Sequence, residues 1–300
     1  MTSNIIKGEA LGERLIGAHM SAAGGAYKAY ERGEKIGCTA IQIFTKNQNR
    51  WAAKPLSNDE IDKFHSENER TGIVVVAHAA YLPNLASPKK DLWEKSKESI
   101  SEELRRCDLL GIPNLIFHPG SYTTGKLQGG IDLIAYAIHE IYSRNNFDVA
   151  LTMENTAGQG TNLGFSFEQL AEIMDKSGVS EKLMVCFDTC HGWAAGYNIQ
   201  DRETYEKVWR DFDNIIGEKK LAVLHLNDSK QPLGSKRDRH EHIGKGFIGD
   251  DGFRNIMNDK RFLHLPMVLE TPKGLNTKDG SDVEMDPVNL ERLLNLIEKK

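Results

Sequence analysis

Six histidine or acidic side chains recur at long, similar intervals, each at the end of a short apolar run or directly after it. They are His78, His118, Glu154, Asp188, His225 and Glu270, with 34 to 45 residues from one to the next. Burying such groups without partners costs several kcal/mol each, so six isolated structural residues are a poor explanation. The pattern indicates that the side chains converge on one site, where imidazoles and carboxylates can bind metal ions or move protons.

Two loops add three more donors of the same kinds. His191 lies three residues beyond Asp188, and the loop after the seventh apolar run carries Asp238 and His240. Zn²⁺ takes imidazole nitrogen and carboxylate oxygen at about 2.0–2.2 Å, whereas Mg²⁺ and Ca²⁺ prefer oxygen ligands alone. Nine donors exceed the three or four that one catalytic zinc takes from a protein. The set therefore predicts two or three ions, and substitution by Mn²⁺ or Fe²⁺ stays open.

Neighbouring residues of the same types receive different interpretations. His242 is a weaker alternative to His240, and His19, which ends the first apolar run, is expected to support the site from a second layer. Cys190 adjoins His191, but without a partner thiol we expect it to pack in the core. The predicted ligands are therefore nitrogen and oxygen atoms only.

Eight apolar runs rich in β-branched residues must position these side chains. They cover residues 15–19, 40–44, 73–77, 115–117, 149–153, 183–187, 221–224 and 267–269. Segments of helical period separate them; one opens on a predicted capping box at Ser166 and ends near Gly178. Eight strand–helix repeats predict a (β/α)₈ TIM barrel, a single domain over residues 1–300, because barrel strands present their carboxyl ends at one mouth. A doubly wound sheet is the alternative, but no Gly-rich phosphate loop follows an early strand.

Composition and charge limit the class of protein. Of 300 residues, 39% are hydrophobic and 27% are charged, with 38 Lys+Arg against 43 Asp+Glu and a formal net charge of −5. This balance excludes a coiled coil, a collagen-like chain and a disordered protein, and it disfavours binding of nucleic acid through bulk charge. Three Zn²⁺ ions would bring the net charge from −5 to +1 and make the mouth attractive to phosphate.

The cysteines and the chain start indicate a compartment. The four cysteines include no C-x-x-C pair, which favours reduced, mostly buried thiols. Residues 1–14 contain no apolar run of signal-peptide length, and no segment approaches the roughly 20 apolar residues that span a bilayer. We expect a soluble, cytoplasmic protein without a membrane partner.

Six motifs in order carry a resemblance to a known family. They are HPGS from His118, ENTAGQG from Glu154, DTCH from Asp188, HLND from His225, DRH from Asp238 and ET from Glu270. Together with GAHMSAAGG from Gly17 and FTKNQ from Phe44, the chain over residues 16–270 resembles the endonuclease IV family of apurinic/apyrimidinic (AP) endonucleases.

The resemblance implies a function and a set of ligands. It implies a zinc-dependent hydrolase of base excision repair that cuts the phosphodiester bond 5′ to abasic sites, leaves a 3′-hydroxyl and a 5′-deoxyribose phosphate, and trims blocked 3′ ends. One zinc would take His78, His118 and Glu154; the second Glu154, Asp188, His225 and Glu270; the third His191, Asp238 and His240. A hydroxide between the first two zincs would be the nucleophile, with Glu154 and Glu270 as catalytic carboxylates.

The resemblance also suggests how an abasic duplex is read. Tyr81 and Leu82 match the family's inserted pair, and the loop with Gln48, Asn49 and Arg50 resembles its groove-binding loop. The family has Arg directly after the Gln, whereas this chain has Asn49 there, so the residue that fills the abasic gap stays open. Cations of the seventh and adjoining loops are expected at phosphates: Lys230, Lys236, Arg237, Arg239 and Lys245. The expected partner is double-stranded DNA with abasic sites or blocked 3′ ends, bound by a monomer.

Two other classes of protein remain as alternatives. A sugar isomerase or epimerase uses the same barrel with histidine and acidic ligands, but needs only one or two metals. A non-catalytic DNA-binding protein would bind abasic DNA without cutting it. The sequence leaves open the balance between abasic incision, 3′-end trimming and incision at damaged bases.

Overall fold

The computed structural model describes residues 14–276 and 282–298, which contain the strands and helices of the fold. The strands are β1 (Ile16–His19), β2 (Ala40–Phe44), β3 (Val74–His78), β4 (Asn114–Phe117), β5 (Ala150–Glu154), β6 (Leu183–Asp188), β7 (Leu221–His225), β8 (Asp228–Ser229), β9 (His240–Glu241), β10 (Met267–Leu269), β11 (Gly274–Asn276) and β12 (Asp282–Glu284). The helices are α1 (Lys28–Lys35), α2 (Asn58–Thr71), α3 (Lys90–Leu110), α4 (Leu127–Arg144), α5 (Phe167–Ser177), α6 (Thr189–Ala195), α7 (Arg202–Ile215), α8 (Gly249–Met257) and α9 (Met285–Asn295).

Strands β1 to β7 and β10 form a closed parallel barrel. Each pairs with its neighbour in chain order, and β1 pairs with both β2 and β10, so the barrel is continuous around its circumference. The four other strands form two antiparallel pairs, β8 with β9 and β11 with β12. The predicted (β/α)₈ barrel is confirmed, and the doubly wound alternative is wrong.

The strand ends fall where the sequence predicts them. All eight predicted runs lie within one residue of the observed bounds. Four strands end on a predicted site residue, whereas His118 and Glu270 come one residue after β4 and β10. Because the eight barrel strands are parallel, these residues share the carboxyl-terminal rim of the barrel, where TIM barrels carry their sites.

Local signals explain why the helices begin and end as they do. Ser166 accepts a hydrogen bond from the backbone amide of Gln169 at 3.4 Å and caps α5, which is half of the predicted capping box; the Gln169 side chain bonds elsewhere and does not complete it. Gly178 ends that helix in a left-handed conformation, as predicted. At α2, Ser57 and Glu60 form a full capping box. Such caps satisfy amide groups that a helix end would leave without partners.

The core has two parts. The larger lies between the barrel and the helices, and a separate cluster consists only of strand residues, as expected where side chains fill a closed barrel: Val76, Ile116, Cys186, Ala222, Val223 and Val268. The four cysteines are buried and unpaired, in agreement with the expectation of reduced thiols. Within the described ranges, every helix is too short or too polar to cross a bilayer.

Candidate metal centre

The first group of donors joins three adjacent strands. Glu154 ends β5, and its Oε2 lies 3.0 Å from Nε2 of His78 and 3.1 Å from Nε2 of His118. The other ring nitrogen of His78 is hydrogen-bonded to the Ala79 carbonyl at 2.7 Å, which leaves Nε2 to face the site. The ligand atoms of these three residues all lie within 4.8 Å of one another.

The second group shares Glu154 and adds β6, β7 and β10. Nδ1 of His225 lies 3.1 Å from Oε1 of Glu154, 3.4 Å from Oε2 of Glu270 and 3.9 Å from Oδ2 of Asp188. Asp188 has a second task, because its Oδ1 accepts from the His191 amide at 2.7 Å and caps α6. The strand end and the helix start are therefore fixed by the same carboxylate.

The third group comes from α6, from the segment between β8 and β9, and from β9 itself. Nε2 of His191 lies 3.2 Å from Oδ2 of Asp238, and Nε2 of His240 lies 3.4 Å from Oδ1 of the same carboxylate. Pairing of Ser229 with His240 brings β9 back over the mouth. His242, the weaker alternative, accepts instead from the Asn289 side chain at 3.2 Å and belongs to none of the donor groups among the described residues.

The donor geometry fits small divalent cations. Ligands about 2.1 Å from a tetrahedral ion lie about 3.4 Å apart. The ion pairs of the first two groups have nitrogen–oxygen distances of 3.0–3.9 Å, and all ligand atoms of each group lie within 4.8 Å of one another. His240 Nε2 is buried and has no hydrogen-bond partner within the described part of the chain, which is costly unless it faces a cation. The sulfur of Cys190 also lies within 4.8 Å of ligand atoms of Asp188 and His240. Burial raises the pKa of this thiol to about 12, so a cation would have to displace a tightly held proton to bind it.

The carboxylates at the centre are ionised although they are buried. Burial raises the pKa of Glu154, but His225 and His118 outweigh it and hold the pKa well below its ordinary value. For Glu270 the same competition, with His225 as the main counter-charge, brings the pKa to about 2. Both carboxylates are therefore anions at neutral pH, paired with the neighbouring imidazoles, and both can serve as ligands for a cation.

Three amides that sequence reasoning did not identify orient the donors. Gln42 is fully buried in β2 and donates to Oε1 of Glu270 at 2.5 Å, while its Oε1 lies 2.7 Å from Nε2 of His225. Asn227 donates to Oδ2 of Asp188 at 2.6 Å, and Asn155 accepts from the Asp188 amide at 2.6 Å. A glutamine inside the apolar run AIQIF was the available signal, because a buried amide needs partners.

His19 lies in a second layer, as expected. Its Nδ1 is 3.0 Å from Nε2 of Gln42 and 3.9 Å from Oε1 of Glu270. Burial lowers the pKa of His19 to about 3, so this imidazole is neutral. It can therefore support the amide without adding charge to the centre.

The predicted DNA-contact residues lie on accessible loops around the mouth. Tyr81 is 60% exposed, and its ring centroid is 5.4 Å from that of Phe44 and 5.9 Å from that of His78. Asn49, Arg50, Lys236 and Arg239 are exposed, and Leu82 and Gln48 are half-buried. Lys46, at the start of the same loop, behaves differently because its ammonium group is buried beside Glu103.

A closed barrel whose carboxyl-terminal mouth gathers nine imidazole and carboxylate donors defines the class of metal-binding TIM barrels. A family model described as a Xylose isomerase-like TIM barrel matches residues 30–286. A relative named probable endonuclease 4, from Chloroflexus aggregans, is 45% identical over 283 residues, covering 94% of this chain and 97% of the relative. The crystal structure of endonuclease IV from Thermus thermophilus matches with a TM-score of 0.80 at 34% identity, covering 94% of this chain and 98% of that chain.

The chain belongs to the endonuclease IV family of AP endonucleases. A D-tagatose 3-epimerase-like protein also matches, with a TM-score of 0.65 at 20% identity over 93% of this chain and 96% of that chain. At this identity the likeness concerns the barrel alone. Family membership favours the nuclease over the sugar-epimerase interpretation.

Proposed function

We propose that this protein is a zinc-dependent DNA repair endonuclease that hydrolyses the phosphodiester bond 5′ to an abasic site, leaving a 3′-hydroxyl and a 5′-deoxyribose phosphate. The observation that carries the proposal is the set of three donor groups at one rim. The endonuclease 4 relatives, whose names describe a nuclease, support it. We further propose removal of blocking groups from 3′ ends by the same site, and a single catalytic domain over residues 1–300.

Nine residues would hold three zinc ions per chain. The first group is His78, His118 and Glu154; the second is Glu154, Asp188, His225 and Glu270; the third is His191, Asp238 and His240. When bound, zinc would supply a nucleophile at neutral pH and neutralise charge on the phosphate. Mn²⁺ is the expected substitute, since it accepts nitrogen and oxygen ligands of the same kinds.

The chain's own carboxylates would organise the reacting centre. Glu154 and Glu270 are the proposed catalytic residues, since both project into the second group and are held as anions. Glu154 faces two donor groups with its two oxygens, so it sets their separation. Gln42 holds Glu270 by a 2.5 Å hydrogen bond, which fixes one oxygen and leaves the other toward His225.

Recognition of an abasic site would depend on shape, because no base is present to read. Bending the duplex and moving the sugar out of the stack costs a few kcal/mol, least where stacking is already lost. Tyr81 and Leu82 are the proposed wedge, since an exposed aromatic ring beside an apolar side chain can enter a base step. Gln48, Asn49 and Arg50 would contact the groove from the neighbouring loop.

Cations on the β8–β9 side would meet the DNA backbone. Lys236 and Arg239 are exposed next to the third donor group, where they can bind phosphates and orient the duplex. We expect the enzyme to act as a monomer in the cytoplasm.

A duplex with one tetrahydrofuran abasic site tests the proposal. The enzyme should cut 5′ to that site and leave an end that a polymerase extends, whereas a matched intact duplex should stay whole. A chelator should abolish cleavage and added zinc should restore it, and Glu154→Ala or Asp188→Ala should lose both metal and cleavage. Full cleavage in chelator, or at most one ion per chain in unstripped protein, would refute the proposal.

A further inference from the structure

Helix α3 carries a buried stripe of polar side chains where a barrel helix normally presents apolar ones. Ser96, Ser99, Glu103 and Arg106 are 0%, 5%, 0% and 6% exposed. Their spacings of three, four and three residues place them on one face of the helix. That face meets two loops, one after β2 and one after β3, which carry the proposed lesion-reading residues.

The stripe fixes the loop after β2 at several points. Lys46 donates to Oγ of Ser99 at 2.7 Å and to the Trp51 carbonyl at 3.1 Å, and its Nζ lies 3.3 Å from Oε1 of Glu103. Arg106 donates to the carbonyls of Thr45 at 2.8 Å and Lys54 at 2.9 Å. The segment 45–54, which includes Gln48 to Arg50, is therefore attached to α3 at both ends.

The same stripe fixes the loop after β3. The Ala80 amide donates to the Glu103 carboxylate, at 3.1 Å to Oε2 and 3.2 Å to Oε1. The backbone amide of Asn84 donates to Oγ of Ser96 at 2.8 Å. The segment 79–85, which includes Tyr81 and Leu82, is thus attached on either side of its exposed tip, and one carboxylate contacts both loops.

Stability alone is a weak reason for this arrangement. The side chains of Lys46 and Glu103 are 0% exposed. The desolvation penalty of such a buried ion pair is often as large as the attraction between its charges, so an apolar pair of similar volume would stabilise the core about equally. What an apolar pair cannot do is fix backbone amides and carbonyls of two separate loops at hydrogen-bonding distance.

We propose that Lys46 and Glu103 are positioning residues that hold segments 45–54 and 79–85 in the relative geometry needed to bind a distorted duplex. The inference rests on the proposed function, since it concerns the same DNA-binding face. It also assigns Lys46 a role other than the phosphate contact that its place in a basic loop suggests. The two loops then act as one preorganised surface rather than as independent contacts.

Glu103→Gln tests the proposal, because it removes the charge and keeps one oxygen for the Ala80 amide. KM for the abasic duplex should rise at least about tenfold, with a smaller change in kcat and unchanged zinc content. The matched control is Lys97→Met, which removes the Lys97–Glu140 ion pair between the same helix and α4 and should leave KM unchanged. An unaltered KM in folded, zinc-loaded Glu103→Gln, or an equal rise in the control, would overturn the proposal.

A double variant separates positioning from stability. Lys46→Met with Glu103→Leu replaces the ion pair by apolar side chains, so no buried charge is left unpaired and Tm should lie above that of either single substitution. KM should remain raised, because the Ala80 amide has lost its acceptor. Recovery of both Tm and KM would mean that the pair acts through stability alone and would refute the positioning role. This variant also serves if Glu103→Gln fails to fold.

Amide hydrogen exchange gives a readout without DNA. Exchange in both segments, 45–54 and 79–85, should accelerate by about tenfold or more in Glu103→Gln and not in Lys97→Met. Acceleration in one segment only would contradict the shared attachment. If the wild-type protein does not bind the abasic duplex, the proposed function is wrong. The exchange data then decide independently whether segments 45–54 and 79–85 are coupled through Glu103.

Discussion

Replacing Gln42 by leucine should weaken metal binding although every proposed ligand is retained. The amide side chain is fully buried in β2 and holds two donors of the second group at once. Its Nε2 donates to Oε1 of Glu270 at 2.5 Å, and its Oε1 accepts from Nε2 of His225 at 2.7 Å. The proton on Nε2 of His225 leaves Nδ1 to face Glu154 at 3.1 Å. Leucine has a similar volume and can make neither contact.

The size of the effect follows from these two contacts. Loss of a partner that orients a metal ligand typically lowers metal affinity by about 10–100-fold, which corresponds to about 1.4–2.8 kcal/mol. Each buried polar group left without a partner also costs about 1–3 kcal/mol of stability. We therefore expect Gln42→Leu to reduce zinc affinity by about 10–100-fold and to lower Tm, with cleavage restored by excess zinc.

Zinc competition against a chromophoric chelator measures the affinity, and elemental analysis gives the ions retained per chain. Thr152→Val is the matched control. Thr152 is fully buried in β5 and donates to Oδ1 of Asn114 at 3.1 Å, so the change costs a barrel hydrogen bond without touching a donor. Wild-type zinc affinity in folded Gln42→Leu, or an equal loss in the control, would refute the orienting role.

Alanine should act in opposite directions at two glycines. A Cβ at Gly17 would lie 1.8 Å from the Ala40 carbonyl oxygen, so Gly17→Ala should cost more than about 4 kcal/mol or prevent folding. An added Cβ at Gly129, in α4, would meet no heavy atom of the described residues within 4 Å, so Gly129→Ala should stabilise by about 0.5–1 kcal/mol; thermal denaturation measures both, and a stable Gly17→Ala contradicts the packing. Metal retention should depend on pH: burial lowers the pKa of His191, but Asp188 and neighbouring carboxylates outweigh it and raise the pKa well above its ordinary value. Since protons compete with a cation for imidazole, zinc affinity should fall as the pH falls from about 8 to about 5, and equal affinity in equilibrium dialysis at both would contradict this.

The barrel and its rim were predictable because two independent signals agree. Apolar runs of strand length mark the strands, and parallel strands in a closed barrel must place their carboxyl ends together. A histidine or an acidic residue at the carboxyl end of a strand, such as His78 or Glu154, can then be assigned to the site without knowledge of the detailed geometry. For the loop between β8 and β9, only the residue types and their spacing indicated that Asp238 and His240 belong to the site. The loop returns over the mouth because β8 pairs with β9, and no local sequence pattern reveals that pairing.

The positioning residues could not be predicted for a physical reason. Lys46 in a loop rich in cations and amides has the composition of a DNA contact, but its ammonium group is buried beside Glu103, 57 residues later in the chain. Gln42 contacts residues 183 and 228 positions away. Such contacts depend on tertiary packing, and a single sequence reports only the residue types.

Glu154 connects the donor groups through different oxygens. Its Oε2 faces His78 and His118 at 3.0 and 3.1 Å, whereas Oε1 faces His225 and His191 at 3.1 and 3.2 Å. A cation near one oxygen therefore changes the field at the other, in a buried environment where charges are weakly screened. Binding of cations at the first two groups would therefore be coupled through one side chain. A small shift of the barrel backbone at the end of β5 would therefore disturb both groups together. Glu154 is fully buried there, and the next residue, Asn155, is hydrogen-bonded to the Asp188 carbonyl, so this part of the backbone is held in place.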